Sequence, residues 1–195
     1  MNEVRDIFVS VIMITYKHEQ FIAKAIEGIL IQKCDFEVEL IIADDCSPDK
    51  TEEKVFQIIK NHPKNSWIKY TKHKTNKGMI SNFNWVLNQC KGKYIAMCEG
   101  DDYWTDPLKL QKQVDFLETN SDFNLCFHKV YYVDENNKEI PFNDYNKDTK
   151  EVTCFEDLAP GNYINTCSIL LRNLEILKSP PTLLNNALPG DWVIN

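Results

Sequence analysis

Residues 94–104, YIAMCEGDDYW, place a short apolar run directly before two adjacent carboxylates. The run at 94–98 has the length and composition of a strand buried at the centre of a sheet. Asp101 and Asp102 follow it beside aromatic residues, where two negative charges are costly unless a cation lies against them. A divalent ion that carries a phosphorylated ligand is the natural partner, because Mg²⁺ favours one or two carboxylates together with phosphate oxygens. The same residues also fit a solvated turn after a strand.

A second pair of acids decides between these two interpretations. Asp44 and Asp45 directly follow another apolar run. Four such runs alternate with segments whose apolar residues recur at helical spacing, which predicts right-handed crossovers and a mostly parallel sheet covered by helices on both faces. Ligands of such sheets bind outside the carboxyl ends of the strands, where both acid pairs are expected to meet Thr15 and Tyr16. The predicted strands are 8–14, 38–43, 67–71 and 94–98.

The second half of the chain is less regular. Asp106 and Pro107 are predicted to be the N-cap and first-turn residue of a helix. Residues 125–133 and 166–171 are predicted to be strands, and the polar, Asn-rich segment 134–150 to be an exposed loop. No repeat, low-complexity tract or linker marks a second domain, so residues 1–195 are expected to form one domain.

Composition and charge narrow the class of protein. The 195 residues are 43% apolar and 26% charged, as in an ordinary globular domain, and the net charge of −7 disfavours a nucleic-acid-binding surface. The seven cysteines show no paired spacing, which favours a reducing, cytoplasmic location. No segment resembles a signal peptide or is long enough to span a bilayer, so any association with the inner face of a membrane is expected to be peripheral. The four histidines, His18 among them, show no metal-ligand spacing and are interpreted as structural or surface residues.

The loop after the first strand, 15–19, contains no glycine. A dinucleotide fingerprint or a P-loop needs glycines there, because the backbone must approach the phosphates closely. Both a nicotinamide-dependent enzyme and a P-loop NTPase are therefore disfavoured. Tyr16 has the chemistry to lie against a nucleobase and Asp45 to accept a hydrogen bond from a base or ribose. Each also fits a structural role, as an aromatic residue at the rim and as a turn or helix cap.

Three segments together resemble family 2 glycosyltransferases, which have the GT-A fold, an α/β architecture with a mostly parallel sheet flanked by helices. They are VSVIMITY at 9–16, IIADDCS at 41–47 and GKYIAMCEGDD at 92–102, and their order and spacing match over nearly the whole chain. Relatives continue well beyond the Gly-Asp-Trp at 190–192. The resemblance therefore implies a single GT-A domain over 1–195 that lacks the C-terminal part of the acceptor region.

The resemblance assigns the donor to the edge that carries these segments. Thr15 and Tyr16 would help to form the nucleotide pocket, and Asp45 would bind the uracil or an equivalent base. The sequence departs from the family in the helix after 76–78, where many relatives carry an arginine and this chain has ISN at 80–82. Lys77 is the candidate for a cationic contact to the donor there, and an exposed lysine in a turn is the alternative. The implied donor is a nucleoside diphosphate sugar, with UDP as the expected nucleotide, and the implied acceptor is a glycan or a lipid-linked glycan of a surface polysaccharide or glycoconjugate.

The resemblance also assigns the metal and the base. Asp101 and Asp102 would be this chain's form of the Asp-x-Asp motif, with Asp101 near the ribose and the ion and Asp102 ligating Mg²⁺ or Mn²⁺ across the diphosphate. Asp191 would be the general base that deprotonates the acceptor hydroxyl in a single inverting displacement. The N-cap of a terminal helix is the alternative role for Asp191.

Three other functions are weighed against this one. A sugar-phosphate nucleotidyltransferase would share the sheet and the acids but needs a Gly-rich, basic loop after the first strand. A response-regulator-like domain would use Asp44 and Asp45 for Mg²⁺, but the second acid pair and the length of the second half count against it. A non-catalytic sugar-nucleotide-binding module would bind the donor without turnover.

Overall fold

A computed structural model describes residues 6–134, 136–141, 151–158 and 163–175, which form a six-stranded sheet with helices on both faces. The strands are β1 Val9–Thr15, β2 Val38–Asp44, β3 Ile68–Lys72, β4 Tyr94–Met97, β5 Leu125–Cys126 and β6 Leu170–Arg172. The helices are α1 Ile22–Leu30, α2 Thr51–Asn61, α3 Met79–Leu87, α4 Lys109–Thr119 and α5 Phe155–Leu158, and 3₁₀ turns lie at Asn65–Trp67 and Thr166–Ser168.

The strand order is β3-β2-β1-β4-β6-β5. The first four strands are parallel, and β6 pairs antiparallel with both β4 and β5. Thr15 pairs in register with Asp44, and Asp44 with Lys72, so β1, β2 and β3 end at one level. The mostly parallel sheet predicted from the alternation of strand and helix patterns is confirmed, and it places the ends of its strands at one edge.

Both faces of the sheet are buried, as the continuous apolar runs predict. On one face Val11, Met13 and Leu40 pack against α1, α2 and α4, and on the other face Ile12 and Ile41 pack against α3. Burying each of these aliphatic side chains stabilises the fold by about 1.5–3 kcal/mol. The strands are therefore a rigid support for the loops that follow them.

At the end of the sheet where the parallel strands begin, a buried carboxylate links neighbouring segments through hydrogen bonds and an ion pair. Glu39 is 1% exposed and accepts hydrogen bonds from the hydroxyl of Ser10 at 2.5 Å and the amide of Lys91 at 3.1 Å. The ammonium of Lys69 forms an ion pair with the same carboxylate. The Ser10 hydroxyl in turn accepts a hydrogen bond from the amide of Gly92 at 2.8 Å. We call these five residues the amino edge; both oxygens of its buried carboxylate have partners.

The second half departs from the predicted elements. The strand predicted at 125–133 ends at Cys126, because β6 offers it only a short partner, and the strand predicted at 166–171 is a 3₁₀ turn followed by β6 at 170–172. The helix predicted to start at Asp106 begins at Lys109. Asp106 instead accepts a hydrogen bond from the amide of Leu108 at 2.9 Å, so its carboxylate caps the turn that leads into α4.

Two further expectations concern the loop and the membrane. Of the segment predicted as an exposed loop, residues 136–141 are exposed, and most of the rest lies outside the described residues. Within the described part of the chain, no helix is both long and apolar enough to cross a bilayer. All seven cysteines are free thiols.

Candidate active site

The loops that follow β1, β2 and β4 contact one another at one edge of the sheet. The amide of Asp45 donates to the carbonyl of Thr15 at 2.9 Å, and the amide of Gly100 donates to the carbonyl of Ile14 at 3.1 Å. A side chain added at Gly100 would lie 2.6 Å from both the Thr15 hydroxyl oxygen and Nδ1 of His18, so the loop after β4 lies directly against the loop after β1. We call this region the carboxyl edge. The predicted convergence of strand-end residues is therefore observed.

The loop after β1 is held by side chains of the loop after β2. The amide of Lys17 donates to the hydroxyl of Ser47 at 3.0 Å, and the amide of His18 donates to the hydroxyl of Thr51 at 3.0 Å. The next amide, that of Glu19, donates to the carboxylate of Asp49 at 3.2 Å. These three amides are used within the protein, which agrees with the prediction from sequence that this loop does not cradle a phosphate.

Asp44 has a structural role. It is fully buried, and its carboxylate accepts hydrogen bonds from the amide of Ser47 and the phenol of Tyr70, each at 2.7 Å. Burial of the phenol and its hydrogen bond to Asp44 raise the pKa of Tyr70. The first acid of the pair at 44–45 therefore closes the turn after β2 and is not available to a ligand.

Asp45 brings the loop before α3 to the same edge. It is 4% exposed, and its two oxygens accept the amides of Lys77 at 2.7 Å and Gly78 at 2.9 Å. Each carboxylate oxygen can accept a further hydrogen bond. Lys77 is thus placed beside the loops after β1 and β2 by its backbone, although 32 residues separate it from Asp45. The roles predicted for both residues in nucleotide binding stay predictions.

Tyr16 and Lys77 present accessible side chains at this edge. The Tyr16 ring is 40% exposed, and the ammonium of Lys17 lies 5.1 Å from its centroid. The ammonium of Lys77 lies 6.0 Å from the ring centroid of Trp85. An exposed aromatic face beside lysine side chains is suited to a nucleobase and an anionic group.

Asp101 is exposed and Asp102 is half-buried after β4. Burial and the neighbouring charge of Asp101 raise the pKa of Asp102, while the Cys167 thiol and His18 act in the opposite direction. Among the described residues, no lysine or arginine forms an ion pair with either acid. The imidazole of His18 lies beside Asp101, with its Nε2 3.9 Å from Oδ2 of Asp101. The two carboxylates therefore repel each other, and neither is neutralised by a lysine or arginine of the described residues.

The loop at 99–106, called here the acid loop, packs through Trp104 against other parts of the chain. These contacts were not predicted from the sequence. The indole nitrogen of Trp104 donates to the carbonyl of Cys167 at 2.8 Å, and the ammonium of Lys109 lies 4.1 Å from the Trp104 ring. A side chain added at Gly28 would lie 2.7 Å from the backbone of Trp104, so α1 and the acid loop touch at this glycine. No local pattern indicates these contacts, because each joins segments far apart in the chain.

Lys109, which packs against Trp104 of the acid loop, is itself buried. It is 5% exposed and donates to the amide oxygen of Gln113 at 2.6 Å. Burial lowers its pKa to about 8. The amide nitrogen of Gln113 donates to the carbonyl of Ser168 at 2.8 Å, which links α4 to the 3₁₀ turn beside Cys167.

Two site predictions have different outcomes. His18, interpreted from sequence as a structural or surface residue, lies beside Asp101 at the carboxyl edge. Asp191, the predicted general base, lies outside the described residues, and its role stays a prediction.

The fold and this edge together define the class of protein. A mostly parallel α/β sheet whose acids gather outside the carboxyl ends of its strands is the GT-A architecture of nucleotide-sugar transferases. The model of the family described as glycosyl transferase family 2 matches residues 10–177. The chain belongs to this family, as its resemblance predicted.

Relatives and solved structures agree with this assignment. An uncharacterized protein of Mycobacterium tuberculosis, Rv1520, is 35% identical over 95% of this chain and 52% of its own length. An Escherichia coli protein, UDP-Glc:alpha-D-GlcNAc-diphosphoundecaprenol beta-1,3-glucosyltransferase WfaP, is 35% identical over 65% of this chain and 47% of its own length. The chain thus spans about half the length of these relatives.

Two solved structures share the fold. TarS of S. aureus in complex with UDP-GlcNAc has a TM-score of 0.64 and 24% identity, over 92% of this chain and 47% of TarS. The mannosyltransferase PcManGT of Pyrobaculum calidifontis, in complex with GDP-Man and Mn²⁺, has a TM-score of 0.54 and 20% identity, over 64% of this chain and 38% of that protein.

Proposed function

We propose that the protein is a glycosyltransferase that moves a sugar from a nucleoside diphosphate donor to a hydroxyl group, with inversion at the sugar carbon. The observation that carries the proposal is the meeting of three strand-end loops at the carboxyl edge, where Asp101 and Asp102 lie close together and the described residues provide no lysine or arginine partner for them. Two uncompensated acids beside an exposed aromatic residue suit a cation with its diphosphate and nucleobase.

The nucleotide would bind between the loops after β1 and β2. Tyr16 offers its exposed ring to the base, and Asp45 offers the free acceptor positions of its carboxylate to a base or ribose donor. Thr15, whose carbonyl accepts the amide of Asp45, would form part of this pocket, and the Lys77 ammonium would contact the diphosphate. UDP is the proposed nucleotide, because WfaP is named for a UDP-linked donor and TarS was solved with one.

The acid pair fits a divalent ion. Asp101 and Asp102 are hard oxygen ligands, and the repulsion and burial that raise the pKa of Asp102 would be relieved by a cation. Within the described ranges no group of three or more His, Cys, Asp or Glu side chains could hold a metal ion by itself, so the donor diphosphate and water would supply most of the ligands. When bound, Mg²⁺ or Mn²⁺ would neutralise the charge that develops on the leaving diphosphate. PcManGT, which shares the fold, was solved with Mn²⁺.

The general base and the acceptor are proposed from the sequence and its resemblance to the family. Asp191 would take the proton from the acceptor hydroxyl on the face opposite the diphosphate, so that one displacement inverts the sugar carbon; general base catalysis of this kind contributes about 10²–10⁴-fold. A glycan or lipid-linked glycan is the proposed acceptor, since WfaP is named for an undecaprenol-linked one. The proposed setting is assembly of a surface polysaccharide or glycoconjugate in the cytoplasm, at the inner face of the membrane.

A thermal-shift titration tests the donor site. UDP and UDP-sugars are expected to raise the melting temperature of the protein only when Mn²⁺ or Mg²⁺ is present, since binding to the native state stabilises it by mass action. Asp102→Ala is expected to abolish the shift. Asp122→Ala, which removes an exposed acid after α4, is the matched control and should retain it. No response to any nucleotide with either ion contradicts the proposal.

A turnover assay separates an enzyme from a binding module. Release of UDP from a UDP-sugar is measured with and without glycan acceptors. Metal-dependent release that Asp191→Asn lowers by about 10²–10⁴-fold supports the catalytic proposal. Binding without release, across varied donors and acceptors, would instead identify a non-catalytic sugar-nucleotide-binding module.

A further inference from the structure

We propose that Asn82 and His73 are positioning residues for the nucleotide, a buried pair that holds the carboxylate of Asp45 in the place where it would meet the base or ribose. This inference rests on the proposed function, because it concerns the same nucleotide pocket. It involves no metal ligand, and it assigns a share of the affinity for the nucleotide to two side chains that do not touch it.

The side chain of Asn82 joins helix α3 to the end of β2. Asn82 is 2% exposed, and its Nδ2 donates a hydrogen bond to the carbonyl oxygen of Ala43 at 2.9 Å. The amide of His73 donates to the carbonyl of the next residue, Asp44, at 2.8 Å. The backbone that leads directly to Asp45 is therefore held by both members of the pair.

These bonds close a ring around Asp45. The Asp45 carboxylate accepts the amide of Gly78 at 2.9 Å, and the carbonyl of Gly78 accepts the backbone amide of Asn82 at 3.0 Å. The side chain of Asn82 then returns to Ala43, at the start of the same short segment of β2. Because each link of this ring is a covalent segment or one of these hydrogen bonds, the position of the carboxylate depends on the Asn82 side chain that completes it.

His73 fixes the orientation of the Asn82 side chain. Oδ1 of Asn82 lies 2.9 Å from Nε2 of His73, a residue only 7% exposed. Since Nδ2 of Asn82 already donates to a carbonyl, Oδ1 faces the ring and accepts a proton from Nε2. The ring packs edge-on against Trp85, with centroids 4.8 Å apart and planes at 89°. An amide oxygen buried without this donor would be costly, so the two side chains act as one unit.

An asparagine at the opposite end of the sheet separates positioning from stability. Nδ2 of Asn173 donates to the carbonyl of Gly92 at 2.7 Å, at the amino edge. Asn82→Ala and Asn173→Ala each remove a hydrogen bond from a side-chain amide to a backbone carbonyl, and both are expected to lower the melting temperature. Only Asn82→Ala is expected to weaken UDP, in a calorimetric titration with Mn²⁺ below the melting temperature. The expected factor is about 10–100-fold, as for the loss of one hydrogen bond to a charged group.

A histidine remote from the pair gives the second control. His73→Phe keeps a ring beside Trp85 and removes the donor to Asn82, so it should weaken UDP by about fivefold to tenfold, the factor for one neutral hydrogen bond. His62 follows α2, and its Nδ1 accepts the amide of Lys64 at 3.1 Å. His62→Phe removes that bond and should leave the affinity for UDP unchanged.

A double-mutant cycle tests whether Asn82 acts through Asp45. Asp45→Asn keeps the size of the side chain, removes its charge and is expected to weaken UDP. Once Asp45 is altered, holding its side chain in place contributes less, so adding Asn82→Ala should lower the affinity much less than it does in the parent protein. Additive effects of the two substitutions would show that Asn82 acts elsewhere and would overturn the inference.

NMR spectroscopy gives a test on the unmodified protein. In alkaline buffer the ¹⁵N signals of His73 should show a proton on Nε2, and the side-chain amide signals of Asn82 should shift when UDP and Mg²⁺ are added. A proton on Nδ1 alone, or an affinity for UDP that Asn82→Ala lowers no more than Asn173→Ala, would overturn this inference and leave the proposed function intact. No binding of UDP or GDP by the parent protein with Mn²⁺ or Mg²⁺ would contradict both.

Discussion

Both ends of the parallel sheet carry acids, and Glu39 at one end and Asp102 at the other have contrasting surroundings. At the amino edge, Glu39 has an ion pair with Lys69 and hydrogen bonds from a hydroxyl and an amide. At the carboxyl edge, Asp102 has a like charge beside it, and buried polar atoms of Thr15 and His18 have no partner among the described residues. A buried charge costs several kcal/mol unless it is compensated. At the carboxyl edge Asp44 and Asp45 are also compensated, by hydrogen bonds. The acid pair after β4, which has no lysine or arginine partner among the described residues, is the part of that edge expected to bind a cation.

Backbone strain follows the same division. Lys17 and Cys46 have positive φ angles of 62° and 64°, and both lie in loops of the carboxyl edge. Such conformations cost of order 1–3 kcal/mol in residues other than glycine and persist where the surrounding structure enforces them. Here the enforcing contacts are the hydrogen bonds that tie the loop after β1 to the loop after β2. The carboxyl edge is held in place at the expense of stability.

The largest expected effects come from substituting one glycine at each edge, Gly92 and Gly100. The first substitution is expected to affect mainly the free energy of unfolding. A side chain at Gly92 would lie 2.5 Å from the amide nitrogen of Ser10 and 2.8 Å from the carbonyl carbon of Val9, both backbone atoms of β1. Because strands cannot move aside, Gly92→Ala is expected to lower the free energy of unfolding by about 3 kcal/mol, the upper end for overpacking. Chemical denaturation measures the change.

Gly100→Ala is its counterpart at the carboxyl edge. The nearest atoms to the added methyl are Nδ1 of His18 and the hydroxyl oxygen of Thr15, each at 2.6 Å, and the Cβ of Thr15 at 2.9 Å, which is fixed to the buried strand β1. We expect a loss of about 1–3 kcal/mol from the free energy of unfolding, together with complete loss of the metal-dependent melting-temperature shift with UDP. A folded Gly100→Ala protein that keeps the full melting-temperature shift with UDP and the metal ion would contradict the role assigned to the carboxyl edge.

Removing one charge at each edge is expected to have opposite effects on stability. Glu39→Gln weakens charge-assisted hydrogen bonds and the ion pair with Lys69, and should lower the free energy of unfolding by about 1.5–3 kcal/mol. Asp102→Asn removes a repelled, half-buried charge and should leave stability unchanged or higher, while it abolishes nucleotide binding. Urea denaturation and the thermal-shift titration are run on both variants. A destabilised Asp102→Asn would contradict this account.

The contrast also shows what the sequence could predict. The four parallel strands could be predicted from apolar runs that alternate with segments of helical spacing. The carboxyl edge could be predicted from the topology, because parallel strands end at the same side of a sheet. The shortened strand at 125–126 could not be predicted, since its length is set by the partner β6 rather than by its own pattern. The contacts of His18 with the acid loop and of Trp104 with Cys167 join residues far apart in sequence, so no local signal carries them.

The buried Lys109 predicts a pH-dependent stability. Burial lowers its pKa from 10.5 to about 8, so between these values the unfolded chain binds more protons than the native state. The free energy of unfolding therefore rises with pH in this window, by at most about 1.4 kcal/mol per pH unit, and the penalty is complete below pH 8. Lys109→Met should be more stable than the parent at pH 7, and the difference should close toward pH 10.5. A difference that does not change with pH would show that the ammonium is not desolvated.

The smallest expected effect comes from the strained turn after Asp45. Cys46 has a φ of 64°, and its thiol contacts the carbonyl oxygen of Lys74 at 3.6 Å. Glycine adopts positive φ without a steric penalty but loses more entropy on folding, so Cys46→Gly should exceed Cys46→Ala in free energy of unfolding by about 0.5–1 kcal/mol. The alanine variant is the control, because it also removes the thiol but keeps the strain. If the two variants are equally stable, the left-handed turn stores no energy, and the strain assigned to the carboxyl edge would have to be withdrawn for this loop.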